Sequence, residues 1–424
     1  MNLSLCLISI LLCPLAAGGL ALIHQGLGRS RSAAHAMLAS LCALAAAAIA
    51  FVLIGASWSG FPGGSAHSFT AGGAQWNWLG NEAFLVHSIP LDGSLGSLIL
   101  CLQIFAVGIA AIIPLSAGTD RWRLAPICFA TTIFAGLVYP VFAHWVWGGG
   151  WLSQLRTNFG IAPFQDYGGA SVIQVTGGLM ALSAAWILGP RRGKYSDDGI
   201  ATAIPGHNIV LVLFGCILAL VGWIGLESAA SMLFYGIAPG LIVGVILNAV
   251  LSASAGCLAA VLTTQFRYRK PDASLSANGW IAGLVAGSAA CAFVSPLAAM
   301  FTAAVAGVLT TYLVEVLELR LLVDDPGGAI SVHAGAGIWG LIAAGLFMHH
   351  SMISFGTQIL SQSIGIATLL GFVLPLIHGC NLLLNRFLPY RVDRDGDWQG
   401  MDIRELGAGA YPEFVIHADE FVPR

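Results

Sequence analysis

Long apolar runs separated by short polar stretches constrain this sequence more than any other feature. Eleven runs are long enough to cross the roughly 30 Å hydrocarbon core of a bilayer as helices. They lie at 3–26, 33–58, 93–118, 124–147, 167–189, 206–226, 231–264, 276–293, 295–319, 328–348 and 357–386. Of all residues, 57% are hydrophobic and 9% are charged, whereas soluble domains carry about 25% charged residues. The sequence therefore predicts an all-α membrane protein of about 11 transmembrane helices.

Basic residues are concentrated in every second loop between these helices. They follow helices 1, 3, 5, 7 and 9 and flank or form the tail, as Arg29, Arg31, Arg121, Arg123, Arg191, Arg192, Lys194, Arg267, Arg269, Lys270, Arg320, Arg386, Arg391, Arg394, Arg404 and Arg424. The alternate loops carry only Arg156. Because loops rich in Lys and Arg stay in the cytoplasm, we expect the N-terminus outside and the C-terminus inside. That orientation requires an odd number of helices.

The apolar runs end near residue 388, which predicts a transmembrane domain over 1–388 and a cytoplasmic tail over 389–424. Residues 1–23 lack the basic start of a signal peptide, and we interpret them as the first membrane helix. The net charge of −3 argues against nucleic acid as a partner. The cysteines form no C-x-x-C pair, and there is no P-loop, dinucleotide motif or nucleophile–base set. We therefore expect no enzyme activity, no bound metal and no organic cofactor.

Two short segments of the chain match each other. Asp166-Tyr-Gly-Gly-Ala-Ser-Val-Ile-Gln174 opens helix 5, and Asp325-Pro-Gly-Gly-Ala-Ile-Ser-Val-His333 opens helix 10. Because five helices separate them, the two halves point in opposite directions through the membrane. This pattern is typical of an inverted repeat, whose substrate site lies near the midplane. We expect helices 1–5 and 6–10 to form the repeat and helix 11 to follow it.

The polar residue that closes each segment is the candidate site. Eight residues at 1.5 Å each carry a side chain about 12 Å along a helix, so Gln174 and His333 should meet near the bilayer centre. The paired glycines before them are expected to bring the two helices together. The alternatives are purely structural roles. Asp166 and Asp325 would cap helix N-termini, and Gln174 and His333 would form hydrogen bonds between helices. Since polar groups at membrane depth are costly, a pore or substrate role is favoured.

At these residues the chain resembles the ammonium transporter (Amt/Mep/Rh) family, as a divergent member of bacterial Amt type, and the resemblance covers nearly the whole length. It is carried by the two repeat segments and by Gly206-His207-Asn208, His144-Trp-Val-Trp-Gly-Gly-Gly150, Gly222-Trp223-Ile224-Gly225, Asp324-Asp325-Pro326, Gly400-Met-Asp-Ile403 and Gly407-Ala-Gly-Ala-Tyr411. The resemblance implies ammonium or ammonia as the substrate. It also implies a homotrimer in the cell membrane with one pore in each subunit. A trimeric PII-type signal protein is a candidate partner at the cytoplasmic face.

The resemblance also assigns roles to single residues. The aromatic residue that recruits the cation at the outer mouth falls on Trp147, where a cation–π contact is worth about 1–2 kcal/mol. The alternative for Trp147 is an interfacial belt residue. The acidic residue that organises the outer vestibule falls on Asp166, and the second pore histidine falls on His333.

The chain departs from the family along the pore. The first pore histidine is Gln174, whose amide donates and accepts hydrogen bonds but does not titrate. The two stacked phenylalanines of the outer gate fall on Ala106 and Leu226, with Phe105 one residue away.

The family's serine, whose hydroxyl accepts a hydrogen bond from the cation, falls near Ala230, and Glu227 lies beside it where the family commonly has an amide. Glu227 either adds negative charge to the mouth or is a solvated carboxylate at a helix end.

Three functions remain open at this point. The first is transport of ammonium or ammonia with altered selectivity. The second is a non-conducting ammonium sensor that acts through a cytoplasmic partner. The third is a pore for another small solute, such as carbon dioxide or methylamine.

Overall fold

The computed structural model describes residues 2–348 and 354–411, and within them the chain forms a bundle of 11 long helices. In chain order, α1 to α11 span Leu3–Leu27, Ser30–Ser59, Leu95–Gly118, Leu124–Val146, Ala170–Leu188, Ile209–Tyr235, Pro239–Tyr268, Ala273–Ser288, Pro296–Leu319, Ile330–Phe347 and Phe355–Phe387. Ten of them are long and apolar enough to cross a membrane, and α8 is shorter, with 16 residues. The predicted class and helix number are confirmed. Residues 412–424 of the predicted tail, with Arg424, lie outside the described residues.

The boundary predicted between helices 6 and 7 is wrong. The sequence placed it between residues 226 and 231, but α6 continues to Tyr235 and ends where Gly236 adopts a left-handed conformation (φ 64°). The charge of Glu227 suggested a helix end, whereas the structure buries that side chain inside the bundle (1% exposed). A buried and hydrogen-bonded carboxyl group does not require the helix to stop.

Glycine lets the two halves of the chain pack closely. Helices α1 and α6, which are equivalent in the inverted repeat, pack along much of their length. A Cβ atom on Gly19 would lie 2.5 Å from the backbone nitrogen of Ala219, and one on Gly225 would lie 2.5 Å from the carbonyl oxygen of Ser9. Small residues at such crossings allow close backbone contact in a membrane.

Helices α5 and α10 begin in the same unusual way. Each opens with a π-helical turn, over Ala170–Val175 in α5 and Ile330–Gly335 in α10. Such turns are rare and frequently occur at functional sites. The two segments found as a sequence repeat therefore also share a local structure.

A β-hairpin between α2 and α3 was not predicted from the sequence. Strands β1 (Ala66–Ala71) and β2 (Ala74–Gly80) pair antiparallel. Gly72 and Gly73 connect them with φ values of 61° and 78°, as a two-residue hairpin turn requires. The hairpin covers the end of α4, where the indole N–H of Trp145 donates to the carbonyl oxygen of Trp78 (2.8 Å). We call this end of the bundle the hairpin face.

The tail packs on the opposite end of the bundle, which we call the tail face. Asp402 accepts a hydrogen bond from the backbone N–H of His35 (2.8 Å) at the start of α2. Glu405 accepts one from the N–H of Leu124 (2.7 Å) at the start of α4. Since helix N-termini leave N–H groups without partners, the tail completes these two helices and is part of the bundle.

Candidate functional site

The centre of the site is a contact between α5 and α10. Nδ1 of His333 lies 2.7 Å from Oε1 of Gln174, and both side chains are buried. Because an amide oxygen only accepts hydrogen bonds, His333 donates through Nδ1–H, and in the neutral imidazole Nε2 is left as an acceptor. The structure thus joins the two residues that the repeat predicted to meet.

The glycines that bring α5 and α10 together are not the ones predicted. A Cβ atom on Gly178 would collide with the backbone nitrogen of Ala334, and one on Gly337 would lie 2.6 Å from Cγ2 of Val175. The paired glycines at 168–169 and 327–328 instead accommodate other parts of the bundle. They lie before the helices start, so they shape the turns that lead into the contact.

Asp166 closes the turn before α5. Its Oδ1 accepts from the N–H groups of Gly169 (2.9 Å) and Ala170 (2.7 Å). Its Oδ2 accepts from the N–H groups of Ser171 (2.7 Å) and Val172 (3.1 Å) and from the Ser171 hydroxyl (2.5 Å). These donors compensate a fully buried carboxylate. The capping role considered from the sequence is present.

Trp147 lies just beyond α4, next to this turn, and is only 2% exposed. Its indole N–H donates to the carbonyl oxygen of Asp166 (2.8 Å). The ring of Phe234 stacks on it, with centroids 4.5 Å apart and planes 11° apart. The hydroxyl of the next residue, Tyr235, accepts from the N–H of Asp166 (3.0 Å). An aromatic layer therefore covers the position assigned to cation recruitment.

Phe234 and Tyr235 were missed because the sequence analysis ended helix 6 at residue 226. Two turns more of the same helix carry them to the hairpin face beside Trp147. The signal that could have found them is Gly236, since glycine commonly follows the last residue of a helix.

Glu227 is buried inside the bundle (1% exposed), so the interpretation as a solvated carboxylate at a helix end is wrong. Its Oε1 accepts from the Ser288 hydroxyl (2.7 Å), which in turn accepts from the indole N–H of Trp223 (2.9 Å). A Cβ atom on Gly168 would lie 2.8 Å from its Cγ. Glu227 therefore lies between α6, α8 and the turn that Asp166 closes. Its Oε2 has no hydrogen-bond partner among the described residues.

The remaining positions near the mouth are apolar. Ala106, Leu226 and Ala230 are fully buried, and Phe105 is half-buried. Neighbouring residues on a helix point about 100° apart, so Phe105 does not replace an aromatic ring at Ala106. The aromatic ring that covers Trp147 is that of Phe234, which is half-buried.

Buried ion pairs hold the tail face together. Asp324 accepts from the Arg191 backbone N–H (2.7 Å) and from its guanidinium group (2.9 and 3.0 Å), and Arg121 lies 3.8 Å away. Burial alone would raise the pKa of Asp324, but the two arginines lower it to about 2. Arg191 and Lys194 of this loop are buried, whereas Asp197 and Asp198 are exposed.

No group of three or more His, Cys, Asp or Glu side chains within residues 2–348 and 354–411 is arranged to hold a metal ion. The polar groups at the centre of the bundle are instead hydrogen-bond donors and acceptors. Such groups can bind a small molecule or ion that carries N–H or O–H groups.

Known proteins resemble this chain over most of its length. The family model described as Ammonium Transporter Family matches residues 4–411. Ammonium transporter Amt2 of Archaeoglobus fulgidus is 32% identical over 432 residues, covering 95% of this chain and 86% of the relative. An ammonium transporter of Bacillus subtilis is 30% identical and covers 93% and 94%.

Two solved structures share the fold. A protein described as Sensor Amt Protein superposes with a TM-score of 0.86 at 24% identity, covering 96% of this chain and 98% of that one. Mep2 of Candida albicans superposes with a TM-score of 0.80 at 22% identity, covering 97% and 90%.

Proposed function

Because this chain belongs to the ammonium transporter family, we propose that it moves ammonium or ammonia across a membrane through the centre of each subunit, past Gln174 and His333. The chain is a multi-pass membrane protein of a transporter family. The hydrogen bond of 2.7 Å between Gln174 and His333 is the observation that carries the proposal. It places one amide and one imidazole where the two halves of the repeat meet.

The chemistry of this pair differs from that of two facing imidazoles. Gln174 cannot accept or release a proton in the physiological range, so it holds His333 in one orientation and one tautomer. Nε2 of His333 is then the acceptor for an N–H group of the substrate. A proton lost by ammonium passes through His333 or along water, and not through Gln174.

Residues near the hairpin face supply the recruitment site in this proposal. Trp147 offers an aromatic face for a cation, and Asp166 and Glu227 place two carboxyl groups behind it. Ala230 has no hydroxyl group, so it adds no acceptor. Phe234 must move from Trp147 before a cation reaches the indole ring.

The topology and partners follow from the charge pattern and the family. With basic loops in the cytoplasm, the tail face is cytoplasmic and the hairpin face lies outside the cell membrane. We propose a homotrimer, as in the resembling family. A PII-type signal protein is the candidate partner at the tail face.

Reconstituted liposomes test the transport proposal. An ammonium jump should produce a transient current or, for neutral ammonia, a change of internal pH, and His333→Ala should reduce the signal at least tenfold. His378→Ala is the matched control, because His378 lies on α11 beside Trp186, away from the central pair. Unchanged flux in His333→Ala would contradict the proposal.

A sensor without conduction is the second candidate function. The observation that favours it is the burial of Trp147 under the stacked ring of Phe234, which leaves the indole ring inaccessible to a cation in this conformation. Calorimetric binding of ammonium by a protein that gives neither a current nor a pH change would support it. Absence of ammonium binding would exclude it.

A further inference from the structure

The two aspartates that are equivalent in the repeat, Asp166 and Asp325, differ in how many hydrogen bonds their carboxylates accept. Asp166 receives five hydrogen bonds, one of them from the hydroxyl of Ser171. The residue equivalent to Ser171 in the second segment is Ile330, which has no hydroxyl group. Oδ2 of Asp325 accepts from the N–H of Ile330 (2.7 Å), and the N–H of Ala329 also faces the carboxyl group. Oδ1 has no hydrogen-bond partner among the described residues.

A second acceptor without a partner lies close by. Ser331 follows Ile330 directly, is 1% exposed, and its hydroxyl has no partner within the described part of the chain. Buried polar groups are normally hydrogen-bonded, so each exception requires an explanation. Both groups are therefore free to accept a hydrogen bond from a ligand or from water.

Both residues line a cavity of about 490 Å³ at the tail face. That volume corresponds to on the order of fifteen water molecules. The loop between α5 and α6, the start of α8 and the end of α9 form its other walls. Ser331 lies two residues before His333 in the same helix, α10, so the cavity lies on the tail-face side of the central pair.

The charges in the cavity wall favour a cation. Its two basic side chains are engaged, because Arg191 binds Asp324 (2.9 Å) and Lys194 binds Glu318 (2.6 Å). Asp325 has no ion-pair partner among the described residues. Two other charged groups lie around Asp325. Asp272, just before α8, caps that helix by accepting from the N–H of Leu275 (2.8 Å), and Arg121 from the loop after α3 binds Asp324.

Burial raises the pKa of Asp325 to about 6. The group is therefore mostly ionised at pH 7 and above, although a buried carboxylate is unfavourable without a partner. A bound cation would compensate this charge.

We propose that this cavity is a second ammonium site, in which the Asp325 carboxylate and the Ser331 hydroxyl accept hydrogen bonds from the cation. The proposal rests on ammonium being the substrate. A monovalent ion with N–H donors fits two free acceptors and water. Calcium takes about six to eight oxygen ligands, which two free acceptors do not provide, and the single free carboxylate balances the charge of a monovalent cation. The site would hold the ion at the tail face, before or after it passes His333.

Anomalous diffraction from crystals of the full chain soaked in thallium(I) acetate tests the site, because thallium(I) is a monovalent cation of similar size to ammonium. We expect a peak beside Asp325 and Ser331 that ammonium chloride displaces and choline chloride does not. Calorimetry with ammonium chloride should show about tenfold weaker binding in Asp325→Asn and several-fold weaker binding in Ser331→Ala.

The variants separate a lost ligand from a damaged fold. Ser331→Ala removes no hydrogen bond of the described chain, and Asp198→Asn changes an exposed carboxylate outside the cavity as a matched control. No peak in the cavity, or equal binding in wild type and both variants, would overturn the inference. The liposome assay decides separately on transport. If flux depends on His333 but the crystals show no ion in the cavity, only the second site is refuted. A filled cavity without such flux refutes only the transport proposal.

Discussion

Replacing Phe234 by alanine tests whether its ring controls access to Trp147. The two rings are stacked with centroids 4.5 Å apart and planes 11° apart, and Trp147 is 2% exposed. A stacked aromatic pair contributes about 0.5–1.5 kcal/mol beyond the area it buries. If a cation must displace Phe234 to reach Trp147, that energy opposes recruitment, and Phe234→Ala removes the opposition.

The expected effect follows from this energy. Since 1.4 kcal/mol corresponds to a factor of ten, the ammonium concentration for half-maximal signal should fall about 2- to 12-fold in Phe234→Ala. The assay is the ammonium-jump current or internal pH change in liposomes, measured over a range of ammonium concentrations. Without flux, calorimetric ammonium binding gives the same comparison.

A control on the same helix makes the comparison specific. Phe214 also lies on α6 but is 51% exposed on the outside of the bundle, so Phe214→Ala should leave the half-maximal concentration unchanged. An unchanged or higher value in Phe234→Ala, with normal assembly of the protein, would refute the idea that Phe234 covers a recruitment site.

Three further predictions concern the tail face and the helix crossing. Asp324→Asn should lower the free energy of unfolding by about 3–5 kcal/mol, because it removes the nearer of the two carboxylates that bind the buried Arg191 and leaves only Asp120, 3.3 Å away; chemical denaturation measures this, and Asp198→Asn should be neutral. Because Asp324 has a pKa of about 2 against about 3.9 when unfolded, its stabilisation is present above pH 4 and is lost as the pH falls towards 2. The stability difference between wild type and Asp324→Asn should shrink over that range, and a constant difference would contradict the ion-pair explanation. Gly178→Ala should reduce ammonium flux at least tenfold by pushing α5 from α10, whereas Gly18→Ala, with no atom within 4 Å of the added Cβ, should not.

The sequence by itself predicted the features that depend on local composition. Each apolar run must be long enough to span a bilayer, which determined the number of helices and most of their positions. The repeated Asp-x-Gly-Gly-Ala segments predicted that Gln174 and His333 meet. Each residue lies about 12 Å along a helix that enters from the opposite face, and both therefore lie near the bilayer centre. The resemblance identified the family from motifs distributed over the whole chain.

Only the tertiary structure decided how side chains distant in the sequence are paired. A single charged residue in an apolar run, such as Glu227, is consistent with a helix end or with a buried, hydrogen-bonded side chain. Its partner, Ser288, lies two helices further along the chain, so the sequence did not distinguish these two possibilities. Phe234 covers Trp147 only because α6 continues past the predicted end. The sequence shows that Ile330 stands where Ser171 supplies a hydroxyl group, but whether another donor reaches the free oxygen of Asp325 depends on how the turn packs. Packing between helices, which no local pattern encodes, determines all three.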